Sequence, residues 1–192
     1  RFNRLYRSTG PGPNLGNVPG VIQGEIGSYL VIKEKLNAAL AFHLPNTQIT
    51  QFQNLMRNIS LAELGNYVID SINNFRDGDI QSLQNELNLI YSSYPKVLSF
   101  RDENGNTALI WAAEKGHLEI VELLLEKTKP KSEDDSDEEE QESFSNFINA
   151  IDNFGNTALI KASRGGHLEI VQALLNAGAS LNDSDENGNT AL

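Results

Sequence analysis

Apolar residues recur at helical spacing along most of this chain. One amphipathic face is formed by Leu118, Ile120, Val121, Leu124 and Leu125. The same face returns further on as Leu168, Ile170, Val171, Leu174 and Leu175. Residues 61–75 and 79–92 predict two further helices, and the first begins with the capping-box pattern of Ser60 and Glu63. Residues 18–57 also predict helix, whereas Gly and Pro break residues 1–17 into a flexible segment.

Comparing the chain with itself shows an internal repeat. Residues 102–125 align with residues 152–175, and a third copy begins at residues 185–192. The step from Asp152 to Asp185 is 33 residues, and the step from Asp102 to Asp152 is 50, which is 33 plus an insertion of 17. The repeat therefore has a fixed period that is interrupted once.

The repeated residues predict a turn followed by two helices. Gly105 suits a tight turn, Thr107 can cap the first helix, and Gly116 can end it in a left-handed conformation. Gly155, Thr157 and Gly166 occupy the same places in the next copy. Because one helix pair cannot bury its apolar face alone, the copies must stack into an all-α solenoid.

This pattern of aspartate, glycine, threonine, Gly-His and paired leucines resembles the ankyrin repeat, most completely over residues 152–182. It departs at residues 108–110 and 158–160, where Ala-Leu-Ile replaces the usual Pro-Leu-His. The resemblance implies a solenoid of stacked helix pairs with a helical amino-terminal extension. Its expected divisions are a degenerate cap at 58–101, a repeat at 102–127, an acidic insert at 128–144, a repeat and linker at 145–184, and the start of a further repeat at 185–192.

Charge is distributed unevenly between the two halves of the chain. Residues 1–100 carry 8 basic and 7 acidic residues, a net charge of +1, whereas residues 101–192 carry 7 and 19, a net charge of -12. An acidic surface repels phosphate backbones, which argues against nucleic acid as a ligand of the repeat half. No apolar run reaches the roughly 18 residues of a membrane span.

The sequence offers little material for catalysis. Its three histidines are His43, His117 and His167, and the last two fall in the Gly-His pair of the repeat, where the ring can hydrogen-bond the loop of a neighbouring repeat. No nucleophile with a nearby base, phosphate-binding glycine loop or metal-ligand spacing is found, and the chain has no cysteine. We therefore expect neither an enzyme nor a cofactor or metal in these residues.

The ankyrin resemblance implies a protein partner on the concave face, contacted by finger tips and first helices. Carried over by position, the expected contacts are Glu103, Asn104, Asn106, Trp111, Glu114, Lys115, Asn153, Phe154, Asn156, Lys161 and Arg164. Trp111 fits either partner contact or packing between helix pairs. Phe154, at a finger tip, is harder to explain as core.

The acidic insert at 128–144 predicts a solvated, disordered loop, because such a charge run cannot pack. Ser132 and Ser136 each have an acidic residue three positions later, which resembles sites of casein-kinase-2-type kinases. Docking on a basic partner and a solvated insert without a function are the alternatives.

The amino-terminal segment resembles an F-box, through Val18, Pro19, Ile22, Ile26, Tyr29 and Leu30, followed by Lys33 and Glu34. Val at position 18 and glycines at 24 and 27 depart from that family. The resemblance implies docking on the Skp-family adaptor of a cullin–RING ubiquitin ligase, with the repeats selecting the substrate. A plain helical extension packed on the first repeat is the alternative.

Two further expectations concern the wider protein. The third repeat stops after its first residues, so a longer chain is expected. The alternative function is then a targeting module for an enzyme domain that lies after residue 192. Asparagine-rich usage favours a low-GC genome. A cytoplasmic protein is expected, in the host cytoplasm if the source is a bacterial effector.

Overall fold

The computed structural model describes residues 29–34, 36, 59–75, 80–130 and 138–191. All regular secondary structure in these residues is helical. The elements are α1 Leu61–Asn73, α2 Ile80–Ser93, a 3-10 helix Pro95–Ser99, α3 Ala108–Lys115, α4 Leu118–Thr128, α5 Glu138–Ile148, α6 Ala158–Gly165 and α7 Leu168–Asn176. Residues 29–34 and 36 are helical as well. The predicted all-α class is confirmed.

The helices pack in pairs that stack on one another. The inner helix α3 lies between α1 and α6, and the outer helix α4 lies between α2 and α7. Leu109, Ile120 and Leu124 are fully buried between the pairs. One continuous apolar core runs through the stack, so each pair buries its apolar face only through its neighbours, as the solenoid prediction requires.

Helix ends follow the predicted capping residues. Ser60 and Glu63 form the capping box of α1, with the Ser60 N–H donating to Glu63 Oε2 at 2.8 Å and the Glu63 N–H donating to Ser60 Oγ at 3.1 Å. Thr107 accepts the Ile110 N–H at 3.3 Å and caps α3. Gly116, with φ of +78°, ends α3 in the left-handed conformation that a residue with a Cβ rarely adopts.

Gly65 allows a close approach in the interior of α1. A Cβ placed there would come within 2.2 Å of the Phe100 ring. A glycine inside a helix costs about 1 kcal/mol relative to alanine. That cost is offset here because the aromatic ring packs directly on the helix backbone.

The described part of the amino-terminal segment packs on the first helix pair. Ile32 and Leu36 are buried in the common core, and the ring of Tyr29 lies 4.7 Å from that of Tyr67. Lys33 Nζ lies 2.9 Å from Glu86 Oε1. The helical extension is thus present at residues 29–34 and 36. The predicted flexible segment at 1–17 and the F-box candidates Val18, Pro19, Ile22 and Ile26 lie outside the described residues.

The prediction of a disordered acidic insert is wrong for its second half. Residues Glu138–Ile148 form α5, which crosses the expected end of the insert at residue 144. Three glutamates occupy its first turn, where negative charge interacts favourably with the helix dipole. Phe147 and Ile148 are buried and anchor its other end. The candidate phosphorylation sites Ser132 and Ser136 lie outside the described residues.

Candidate functional site

Three loops project from the stack, one before α3, one before α6 and one after α7, and we call residues 102–107, 152–157 and 185–190 the fingers. Each folds around the carboxylate of its first residue. In the first finger, Asp102 Oδ1 accepts the N–H groups of Asn104 and Asn106 at 2.9 and 2.8 Å. Asp152 and Asp185 repeat this arrangement in the other two fingers.

Backbone hydrogen bonds join the fingers into a row. The Asn153 N–H donates to the Asn104 carbonyl at 2.8 Å, and the Glu186 N–H donates to the Phe154 carbonyl at 3.0 Å. The Asn153 side chain adds a bond to the Glu103 carbonyl at 3.0 Å. The tips are therefore fixed relative to one another and form one continuous edge.

The second oxygen of each finger aspartate is bound by a different kind of side chain. Trp111 Nε1 donates to Asp102 Oδ2 at 2.8 Å, whereas Lys161, in the same helix position one repeat later, lies 3.4 Å from Asp152 Oδ2. Arg164 Nη2 binds Asp185 Oδ2 at 3.0 Å. Aromatic and basic residues thus perform the same task of tying a finger to an inner helix.

These contacts favour the ionised form of Asp152 and Asp185. Burial by itself would raise the pKa of Asp152, but hydrogen bonds from Asn156 and Phe154 and the charge of Lys161 outweigh it and hold that pKa below its usual range. Hydrogen bonds from Asn189, assisted by the Asn187 N–H and Arg164, lower the pKa of Asp185 to about 2. The second and third fingers therefore fold around charged aspartates.

Several predicted contact residues serve the array itself. Asn106 and Asn156 are each only 5% exposed, and both donate their side-chain amides to the aspartate of their own finger. Their prediction as partner contacts is wrong, because the turn that makes the finger encloses them. Trp111 is half-buried, and its indole N–H is bound to Asp102. Lys161 lies 2.9 Å from Glu114 of the preceding repeat.

The remaining candidates lie at the surface. Phe154 is 56% exposed at the tip of the middle finger, with Asn153 exposed beside it. It borders a depression of about 480 Å³ that is also lined by Arg164 and Glu186. The other exposed candidates are Glu103, Asn104 and Lys115.

Glu186 and Asn187 belong to this surface and were not predicted. Both are exposed at the tip of the third finger, in the positions that Glu103 and Asn104 take in the first. The repeat register contained the signal, since Asp185 aligns with Asp102. Extending the register to the partial copy would have identified them.

The two described histidines, His117 and His167, contact other residues of the array. His167 Nε2 lies 3.2 Å from the Glu114 carbonyl, so its partner belongs to the neighbouring repeat as predicted but lies in the last turn of α3 and not in a loop. The ring of His117 meets that of Phe75 edge-on at 5.2 Å, and burial lowers the pKa of His117.

Among the described residues, no group of three or more acidic or histidine side chains could hold a metal ion, and no helix is long and apolar enough to cross a membrane.

Comparison with known proteins agrees with this architecture. Two family descriptions of ankyrin repeats match residues 83–134 and residues 145–192. The NAD-capped RNA hydrolase NUDT12 of Homo sapiens is 49% identical over 51 residues, which is 27% of this chain and 10% of that protein. NUDT12 of Pongo abelii matches equally. The chain thus spans about a tenth of the length of these curated relatives.

A solved structure resembles a larger part of the chain. It is a chain from the crystal structure of the yeast ribosomal protein Rps3 in complex with its chaperone Yar1. The TM-score is 0.54 at 29% sequence identity, and the match covers 68% of this chain and 81% of that one.

Proposed function

The chain carries ankyrin repeats at residues 83–134 and 145–192, and from this premise we propose that it is a non-catalytic protein whose finger tips bind a protein partner. The observation that carries the proposal is Phe154, a large aromatic side chain 56% exposed on the finger row. Aromatic anchors dominate the binding energy of many protein interfaces.

The rigidity of the finger row supports this proposal. Binding costs conformational entropy whenever the contacting groups must be ordered, and a pre-ordered surface avoids part of that cost. Here backbone bonds of 2.8 and 3.0 Å link the three tips, and Arg164 ties the third finger to α6. The similar yeast chain comes from a protein–protein complex, which also supports a partner of this class.

Site-specific photocrosslinking tests the proposal. A benzoylphenylalanine at position 154 should form an adduct with a discrete cellular protein, and excess wild-type chain should compete for it, whereas the Phe154→Ala chain should not. The matched control carries the same group at Leu168, which is 77% exposed at the start of the outer helix α7. Equal adducts from both positions, or none from position 154, would contradict a finger-tip binding site.

A second candidate function is a targeting module within a larger enzyme. The observation that favours it is the match to NUDT12, whose name describes a hydrolase. The matched residues make up 10% of that protein. An antibody against the array separates the two candidates in cells of the source organism. A product much larger than the 21.2 kDa of this chain, carrying hydrolase activity, would support the enzyme, and a product near that mass would exclude it.

The ligase-adaptor function remains a proposal that rests on the pattern from Val18 to Leu30. Within that pattern, Tyr29 is half-buried and its ring packs against that of Tyr67 in the array. Leu30 is half-buried, and the neighbouring Val31 is 45% exposed. A pull-down with a Skp-family adaptor tests it: wild-type chain should bind and Pro19→Ala/Ile22→Ala should not. If the wild-type chain does not bind the adaptor, this proposal and the cytoplasmic ligase role are both wrong.

A further inference from the structure

The basic side chains near the finger row are already engaged within the array. Lys161 lies 2.9 Å from Glu114 and 3.4 Å from Asp152. Arg164 binds Asp185 at 3.0 Å, and Lys115 Nζ lies over the Trp111 ring at 5.2 Å. The charges of Lys161 and Arg164 on this face are therefore balanced by carboxylates of the array and are less available to attract an acidic partner.

The acidic side chains at the tips are in a different situation. Glu103 on the first finger and Glu186 on the third are exposed, and within the described residues neither forms an ion pair with a lysine or arginine. Phe154 lies on the finger between them. The row thus presents one exposed aromatic ring with a carboxylate on each side.

We propose that the partner segment that docks on the finger row is an extended, basic stretch of polypeptide, in which an apolar side chain on Phe154 is flanked by lysine or arginine facing Glu103 and Glu186. This rests on the proposed function and adds the chemistry of the partner. Charge complementarity selects it, because an acidic segment or a phosphate backbone would meet uncompensated carboxylates.

The finger geometry also sets the spacing within that segment. Each finger contributes two antiparallel passes of chain, closed in the first finger by the Asp102 N–H bond to the Asn106 carbonyl at 3.0 Å. Since hydrogen-bonded passes lie about 4.8 Å apart, neighbouring fingers repeat roughly every 9.6 Å. An extended chain in the polyproline II conformation rises about 3.1 Å per residue with three residues per turn, so side chains three positions apart lie on the same face. A segment crossing the fingers therefore needs a basic residue about three positions before the apolar residue and another about three positions after it.

The two kinds of contact have separate roles. Exposed ion pairs contribute little affinity each, and salt screens them. The apolar contact at Phe154 is insensitive to such screening. We therefore expect the carboxylates to select basic segments and accelerate their encounter, while Phe154 determines how long the complex lasts.

Selection from a displayed library of random linear peptides on the intact chain tests the proposal. Enriched peptides should carry lysine or arginine about three positions on either side of an apolar residue. Binding of an enriched peptide should weaken with added sodium chloride. It should weaken by about tenfold or more in the Glu103→Lys/Glu186→Lys chain.

The matched control is Glu122→Lys/Glu169→Lys, which changes the net charge equally at exposed positions of the outer helices α4 and α7. It should bind the enriched peptide as wild type does. Equal weakening by both pairs would show a general charge effect and overturn the proposal. No enrichment over an unrelated protein would overturn it as well.

The variant Phe154→Ala separates this inference from the function beneath it. Peptides that need Phe154 but show no basic preference leave the finger-tip function in place and overturn only the basic partner. Enriched basic peptides whose binding ignores both Phe154 and the finger glutamates overturn the two together.

Discussion

The contribution of a buried tyrosine hydroxyl to stability depends on whether it has a hydrogen-bond partner. The Tyr67 hydroxyl donates to Glu86 Oε2 at 2.9 Å, and burial together with that carboxylate raises the pKa of Tyr67. The Tyr91 hydroxyl is also buried, which raises its pKa, but within the described residues it has no hydrogen-bond partner. The hydrogen-bonded Tyr67 hydroxyl on α1 therefore stabilises the fold, whereas burial of the Tyr91 hydroxyl on α2 destabilises it.

Removing these two hydroxyls should have different effects. Tyr67→Phe leaves Glu86, only 2% exposed, without one of its donors, so we expect a loss of about 2 kcal/mol in the free energy of unfolding. Tyr91→Phe removes a polar group that lacks a partner and should be neutral or stabilising. Urea denaturation of both variants measures this, and equal losses would show that the Glu86 bond contributes nothing.

The lowered pKa values of Asp152 and Asp185 predict acid sensitivity. A carboxyl whose pKa is lower in the folded state stabilises the fold above its unfolded pKa of about 3.9. That contribution is lost as the pH falls through the folded value, which for Asp185 is about 2. Stability should therefore decline between about pH 4 and pH 2, and less steeply in Asp185→Asn. Thermal unfolding against pH measures the slope, with Glu122→Gln on α4 as the control.

At the scale of elements, α5 combines an acidic start with an apolar end. Glu138, Glu139 and Glu140 are exposed in its first turn, whereas Phe147 and Ile148 enter the core. The apolar end, and not the charge run, attaches this helix to the solenoid. The interruption of the repeat period thus adds a packed element to the array.

Substitutions at the two ends of α5 should separate these contributions. Ile148→Ala deletes a side chain that is 2% exposed and should lower the free energy of unfolding by about 2–4 kcal/mol. Glu139→Gln removes one favourable interaction with the helix dipole and should cost no more than about 0.5 kcal/mol. Denaturant titration compares them, and a large effect of Glu139→Gln would show that the charges hold the helix in place.

At the scale of the whole molecule, one apolar core extends from Ile32 in the amino-terminal helical segment to Ala191, which directly follows the third finger. Within the described residues the main contacts of each helix pair are with the neighbouring pairs, so the stability of the array depends on the contacts between pairs. Leu109 on α3 is fully buried within the central pair.

Unfolding should therefore be cooperative across the array. The single tryptophan, Trp111, reports on the central pair, and its fluorescence change should coincide with the loss of helical circular dichroism. Leu109→Ala should lower the free energy of unfolding by about 3 kcal/mol, and both transitions should shift together. Separate midpoints would show instead that the terminal pairs unfold independently.

The sequence by itself determined the repeat, its helix ends and the structural role of His167. These features are local or periodic: Thr107 caps the helix that follows it, Gly116 takes a left-handed conformation, and each apolar face recurs at a fixed period. Local bonding and periodicity require no knowledge of distant residues. For the same reason the repeat register alone assigns Phe154 to a finger tip.

Tertiary structure decided which of the candidate residues remain at the surface. Asn106 and Asn156 look like tip residues in sequence, but the folded turn encloses their side chains around an aspartate. The acidic run looked unable to pack, yet Phe147 and Ile148 gave α5 a place in the core. Burial and ion pairing depend on residues that are distant in the chain, and only the stacked array brings those residues together.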